Sequence, residues 1–154
     1  MGFFALWAMV LFSIWNLGVT KDTILDASKK SDMWINIMSF GSIITIAGLT
    51  AGGGWQYQPN KGVASYALSV AVISLVFGIV VRAFSMFLDD DKQLDPRIRM
   101  YTLVALLLLW IVAACLTTFI GPFLTTSNGY FAVWASVIAT GMALTGAQGE
   151  MQEM

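Results

Sequence analysis

The sequence predicts an all-α membrane protein: a four-helix transmembrane bundle over residues 34–147, preceded by an additional N-terminal hydrophobic helix. Three observations carry this expectation. The chain of 154 residues is 58% hydrophobic and only 11% charged, with a mean hydropathy of +0.77, far from a soluble globular average. Its apolar residues fall in five runs separated by polar or glycine-rich connections. Each run is about 18 to 24 residues, enough to cross a hydrocarbon core of about 30 Å at about 1.5 Å per residue.

The first run, Gly2 to Val19, lacks a basic n-region and an A-x-A-like site before Lys21, and it exceeds the apolar length of a signal peptide. It reads as a membrane segment. Ser13 and Asn16 dilute it, and Trp7 and Trp15 favour the interface, so a helix that crosses and a helix that lies in the interface are both compatible with it. The motifs for N-myristoylation and N-glycosylation are absent.

A connection over 21–33 follows, and Ser31 or Asp32 supplies an N-cap for the second run, Trp34 to Ala51. Gly52-Gly53-Gly54 breaks that helix, and an alternating aromatic and polar stretch from Trp55 to Asn60 reads as an interfacial loop. The third run is Ala64 to Phe87. Asp89-Asp90-Asp91 and Asp95-Pro96-Arg97 then form a charged turn, with Pro96 placed near the next helix start. The three aspartates lack the alternating oxygen spacing of a calcium loop and read as a solvated turn.

The last two runs, Met100 to Ile120 and Gly129 to Ala147, are joined by Gly121–Asn128 (GPFLTTSN), whose Gly-Pro and small polar cluster stop the helix before Pro122 and turn the chain. Thr118-Phe119, then Gly-Pro-Phe, a small polar turn and Asn-Gly-Tyr-Phe-Ala-x-Trp-Ala ending at Ala135, resembles the last helical pair of MARVEL-like tetraspan proteins of microbial eukaryotes. The resemblance is strongest over 99–147, extends to the preceding helix and does not cover residues 1 to 33. It implies a four-helix membrane fold with both ends cytoplasmic, whose members organise membranes and one another, and it brings no active-site motif.

Orientation follows from the basic residues. Lys21, Lys29 and Lys30 lie in the first connection and Lys92, Arg97 and Arg99 in the third, against Lys61 alone in the second. By the positive-inside rule the first and third connections, and the tail from Gln148 to Met154, are expected in the cytoplasm.

Candidate functional residues are those of packing and charge. Ala67, Ala71, Ser74, Gly78, Arg82 and Ser85 recur at spacings of four and three, a stripe of small residues that lets another helix approach and that turns Arg82 toward protein. Ala132, Ala135, Ala139, Ala143 and Ala147 form a second stripe, and Gly48-x-x-x-Gly52 a third pattern. Intramolecular packing is the default for such stripes, and the alanine stripe is also a candidate face between subunits. Arg82 is expected to snorkel to headgroups or to Asp89 and Asp90, and Lys92, Arg97 and Arg99 to meet lipid headgroups or neighbouring acids. Tyr66, Tyr101, Tyr130 and Trp134 fall near run ends, as in an interfacial belt.

Function is bounded mainly by exclusion. Histidine is absent, and no apolar run contains Asp, Glu or Lys, which leaves little for acid–base catalysis, metal binding or proton transport. A net charge of −1 offers no basic surface for nucleic acid. The single Cys115 lies in an apolar run and reads as a packing residue. No enzyme, no cofactor and no soluble small-molecule substrate is expected. The expectation is a structural membrane protein whose partners are lipids and copies of itself. The alternatives are a small channel or transporter subunit, with Asn16, Asn36, Thr45 and Thr50 lining a pathway, or an accessory subunit of a large energy-converting complex.

Overall fold

A computed structural model describes residues 31–50, 60–87, 95–124 and 127–152. They form an all-α four-helix bundle: α1 (Ser31–Thr50), α2 (Lys61–Phe87), α3 (Pro96–Phe119) and α4 (Asn128–Gln152). The run Gly2–Val19, Gly52, the aspartates 89–91 and Lys92 lie outside the described residues. All four helices are long and apolar enough to cross a membrane, as a multi-pass membrane protein requires.

The helices form a closed ring in chain order, running up and down in alternation. α1 packs on α2 and α4, α3 packs on α2 and α4, and the α1–α4 face is the most extensive. One end of the bundle gathers the start of α1, the end of α2, the start of α3 and the end of α4. This is the arginine end, which carries Arg82, Arg97 and Arg99. The opposite end carries the Gly-Pro connection.

Helix limits follow from local chemistry. α3 starts four residues before the apolar run because Asp95 caps it: Oδ1 accepts from the Arg97 N–H at 2.9 Å, and Pro96 occupies the first turn, where a missing N–H has no consequence. At its other end Gly121 adopts φ +119°, which a side chain would resist. The N–H groups of Ile120 and Gly121 cap Leu116 O, and the Phe123 N–H reaches Thr117 O at 2.8 Å. The chain is thereby folded back, and the Phe123 ring, 6% exposed, enters the core. Asn60, just before α2, holds the corner, donating from Nδ2 to Ile120 O at 2.7 Å. Ser127 starts α4, its Oγ accepting from the Tyr130 N–H. α4 then runs past the last apolar residue to Gln152, so the expected tail at 148–154 is helical through that position. Its Gln, Glu and Met are good helix formers, and the single Gly149 costs only about 1 kcal/mol.

Large apolar side chains lie on the outside of this bundle as well as in its core. Its most exposed helix positions include Ile73, Ile79, Leu108 and Ile138, each more than half accessible, while Ala67, Ala71, Ser74, Ser136 and Thr140 are fully buried. Small and hydroxylated residues interleave with buried Ile35, Met38, Leu103, Leu106 and Trp110, and an apolar exterior with small residues at the crossings is the arrangement of helices packed in lipid, where close backbone approach replaces the hydrophobic drive.

Candidate functional site

Each seam between helices is built around small residues. Between α1 and α4, a Cβ added at Gly41 would meet Ser136 Oγ and would lie 3.3 Å from Ala132 O; one added at Gly48 would touch Gly129 Cα and the Phe123 ring at 3.4 Å. Between α1 and α2, Gly78 faces Ser39, whose Cβ would lie 3.1 Å from an added methyl. Between α2 and α3 the Trp110 indole, fully buried, donates from Nε1 to Ser74 Oγ at 2.9 Å, and the Tyr66 hydroxyl donates to Leu109 O at 3.2 Å. Ala67 and Ala71 pack in the same cluster as Trp110, Ala113 and Ala114. Toward the arginine end, Ala139, Ala143 and Ala147 close a second cluster with Ile35, Met38, Leu103 and Leu106.

The small stripes of α2 and α4 are therefore spent inside the subunit. Ala139 is 1% exposed and Ala143 fully buried, so the alanine face that the sequence offers as a contact between subunits is turned inward. Ala135 is only half-buried, and Ser136 takes the inward position at the Gly41 crossing. Arg82 departs from its stripe for a related reason. Each i to i+4 step advances about 40° around a helix, so the successive steps from Ser74 to Gly78 to Arg82 carry the arginine off the buried face, and Val81 takes the inward place at 7% exposure. Arg82 is exposed. Sequence reasoning missed Gly41, Gly129 and Ser39. The seven-residue separation of Gly41 and Gly48, two turns on one face, was the available signal.

Six of the eight buried hydroxyls among the described residues bond within their own helices. Ser42, Thr45, Thr117, Thr118, Ser136 and Thr140 each donate to the carbonyl four residues earlier, at 2.6 to 2.9 Å. Of the residues expected to line a pathway, Asn16 lies outside the described residues and the other three do not converge: Thr45 is buried and bonded to Gly41 O, Thr50 is exposed and bonded to Ile46 O, and Asn36 is exposed at the arginine end.

At the arginine end the charges are paired across the bundle. Arg99, whose side chain is 12% exposed, forms an ion pair through Nη2 with Oδ1 of Asp32, 48% exposed. The aspartates 89–91 of its own connection lie outside the described residues. Antiparallel packing sets the first turn of α1 beside the first turn of α3, and the pair ties together two helices that share no extensive seam. Arg82 borders a shallow cleft between α1 and α2 whose other walls are Asp32, Ile35, Asn36, Gly78 and Val81. Arg97 is exposed outside it. Among the described residues no three His, Cys, Asp or Glu converge as a metal site would need. Compared with known proteins, the chain matches no family model, no curated protein and no solved structure.

Proposed function

We propose that this chain is a structural membrane protein of MARVEL-like type, which self-associates and organises its membrane through lateral helix contacts, with lipids and further copies of itself as partners. One observation carries the reading. The four seams close the interior, most of its buried hydroxyls bond to their own helices, and the largest surface that the described residues offer for recognition is the apolar belt around the bundle. A belt that faces lipid is also the surface through which membrane helices find one another. With the alanine stripe of α4 internal, contact between copies falls to outward faces such as that of Ile73, Val76 and Ile79 on α2. The basic residues of its two connections support a cytoplasmic arginine end.

The test is the stoichiometry of the full chain in native-membrane nanodiscs. Discs holding several copies and no other protein, with crosslinking through a cysteine at Ile73 but not at Ala139, are the expected result. A single copy per disc at every expression level refutes self-association. Co-isolation of a fixed set of other chains supports the accessory-subunit reading instead, and ion flux in liposomes supports the channel reading.

A further inference from the structure

We infer that the apolar run Gly2–Val19 crosses the membrane and packs antiparallel on the outward face of α1 in its own subunit, with Asn16 paired to Asn36. The inference rests on the four membrane-spanning helices and is independent of self-association.

The face is set by what α1 does not bury. Ile35, Met38, Ser42, Thr45 and Leu49 turn into the bundle, and on the other side Asn36, Phe40, Ile43, Ala47 and Thr50 are all exposed. Spacings of four, three, four and three keep the exposed residues on one line, the pattern by which one helix packs along another. The chemistry of that line suits protein better than lipid. Where α2 turns Val72, Ile73, Val76 and Ile79 outward, α1 shows a carboxamide at one end of its line and Ala47 and Thr50 at the other. A polar side chain within a span and small residues in line are what membrane helices use against a neighbouring helix.

The run Gly2–Val19 carries a matching line. Taken back from its end, Asn16, Phe12, Met9, Ala5 and Gly2 fall at the same spacings of four, three, four and three. Laid antiparallel on α1, they set Asn16 on Asn36, Phe12 beside Phe40, Met9 beside Ile43, Ala5 beside Ala47 and Gly2 beside Thr50. Bulky layers then meet near the arginine end, and small layers meet at the other, where the two backbones approach most closely. Depth agrees as well. Asn16 lies three residues inside the end of its run and Asn36 two residues inside the start of the next, a difference of about 1.5 Å along the axis. Each carboxamide carries both a donor and an acceptor, so the two can exchange hydrogen bonds.

The tether selects the occupant. Residues 20–30 join the run to Ser31 at the arginine end, so a run that crosses from there lies antiparallel to α1. Eleven residues reach about 36 Å when extended, against about 8–10 Å between the axes of packed helices, and a tethered segment outcompetes the same segment of another copy by its effective concentration.

The test is disulfide crosslinking of the full chain in native membranes, in a Cys115→Ser background. Met9→Cys with Ile43→Cys is expected to close within one chain on mild oxidation, at least about ten-fold faster than Met9→Cys with Val76→Cys, a preference of about 1.4 kcal/mol. Ile43 and Val76 are both exposed, so neither variant disturbs the bundle core. Asn16→Leu and Asn36→Leu are each expected to slow closure about three- to ten-fold, as loss of a hydrogen bond between membrane helices would, and the double variant to slow it no further. In sealed vesicles a Gly2→Cys variant should react with an impermeant maleimide from the side opposite to Gly149→Cys. Equal rates at Ile43 and Val76, closure only between differently tagged copies, unchanged rates in both asparagine variants, or labelling of Gly2→Cys from the same side as Gly149→Cys would overturn the assignment. Copy number per nanodisc is measured separately, so failure of this docking and failure of self-association are told apart.

Discussion

Replacing Gly78 by alanine should destabilise the bundle, and the cost should depend on Ser39. The added Cβ falls on Ser39 Oγ, which now donates to Ile35 O at 2.8 Å. To make room, the hydroxyl must leave that bond, at about 0.5–1.5 kcal/mol, and the α1–α2 seam must absorb overpacking of about 1–3 kcal/mol. Alanine returns about 1 kcal/mol of helix propensity, leaving a net loss of about 1–3 kcal/mol. With Ser39→Ala in the background the obstructing oxygen is gone and only the 3.1 Å approach to the Cβ of residue 39 remains, so the same substitution should be close to neutral. The coupling energy is then about 1–2 kcal/mol, measurable by a double-mutant cycle in SDS-driven unfolding of micellar protein followed by circular dichroism. Two controls separate packing from the general effect of removing a glycine. Gly141→Ala meets nothing closer than Leu107 Cδ1 at 3.9 Å and should stabilise. Gly41→Ala meets Ala132 O at 3.3 Å as well as Ser136 Oγ, and a backbone carbonyl cannot rotate away, so Ser136→Ala should rescue it only in part. Tolerance of Gly78→Ala equal to that of Gly141→Ala, or a cost unaffected by Ser39, would refute the reasoning.

Other perturbations follow from the same geometry. Ser74→Ala strands the fully buried Trp110 N–H and should cost about 1–3 kcal/mol in the same unfolding assay, whereas adding Trp110→Phe should add little further loss, because both partners of the bond are then gone. Asp32→Ala should cost about 1 kcal/mol, a value held down by the half-exposed carboxylate, and the exchange Asp32→Arg with Arg99→Asp should recover part of it; no recovery would show that the pair adds nothing. In a Cys115→Ser background, cysteines at Gly62 and Gly149, both exposed with open space around them and at opposite ends of the bundle, should react with an impermeant maleimide from opposite sides of sealed vesicles. Labelling of both from one side would remove the four-span arrangement. The native Cys115, exposed on α3 within the apolar stretch, should resist the same reagent in the membrane and react after SDS; ready labelling in intact vesicles would place that stretch in water.

The sequence by itself determined the class, the helix count over 31–152 and the turn chemistry. Those features are local: the length of an apolar run against the bilayer, Pro96 after an acidic cap, Gly121-Pro122 closing a hairpin. It also pointed to Gly78 and the alanines of α4 as close-packing residues, because small residues at spacings of three and four share a face whatever they meet. What they meet was decided only by the tertiary structure. Around a membrane helix both lipid and protein accept apolar side chains, so periodicity does not separate an inward face from an outward one, and the alanine stripe could serve a neighbouring helix or a neighbouring subunit equally well. The ring order of the helices turns it inward, puts Ser136 rather than Ala135 at the Gly41 crossing, and rotates Arg82 out to the cleft rim. The ion pair was equally hidden. Asp32 and Arg99 are separated by 67 positions, and only the antiparallel closure of the bundle, which sets the first turns of α1 and α3 at one level, brings that carboxylate to the largely buried guanidinium.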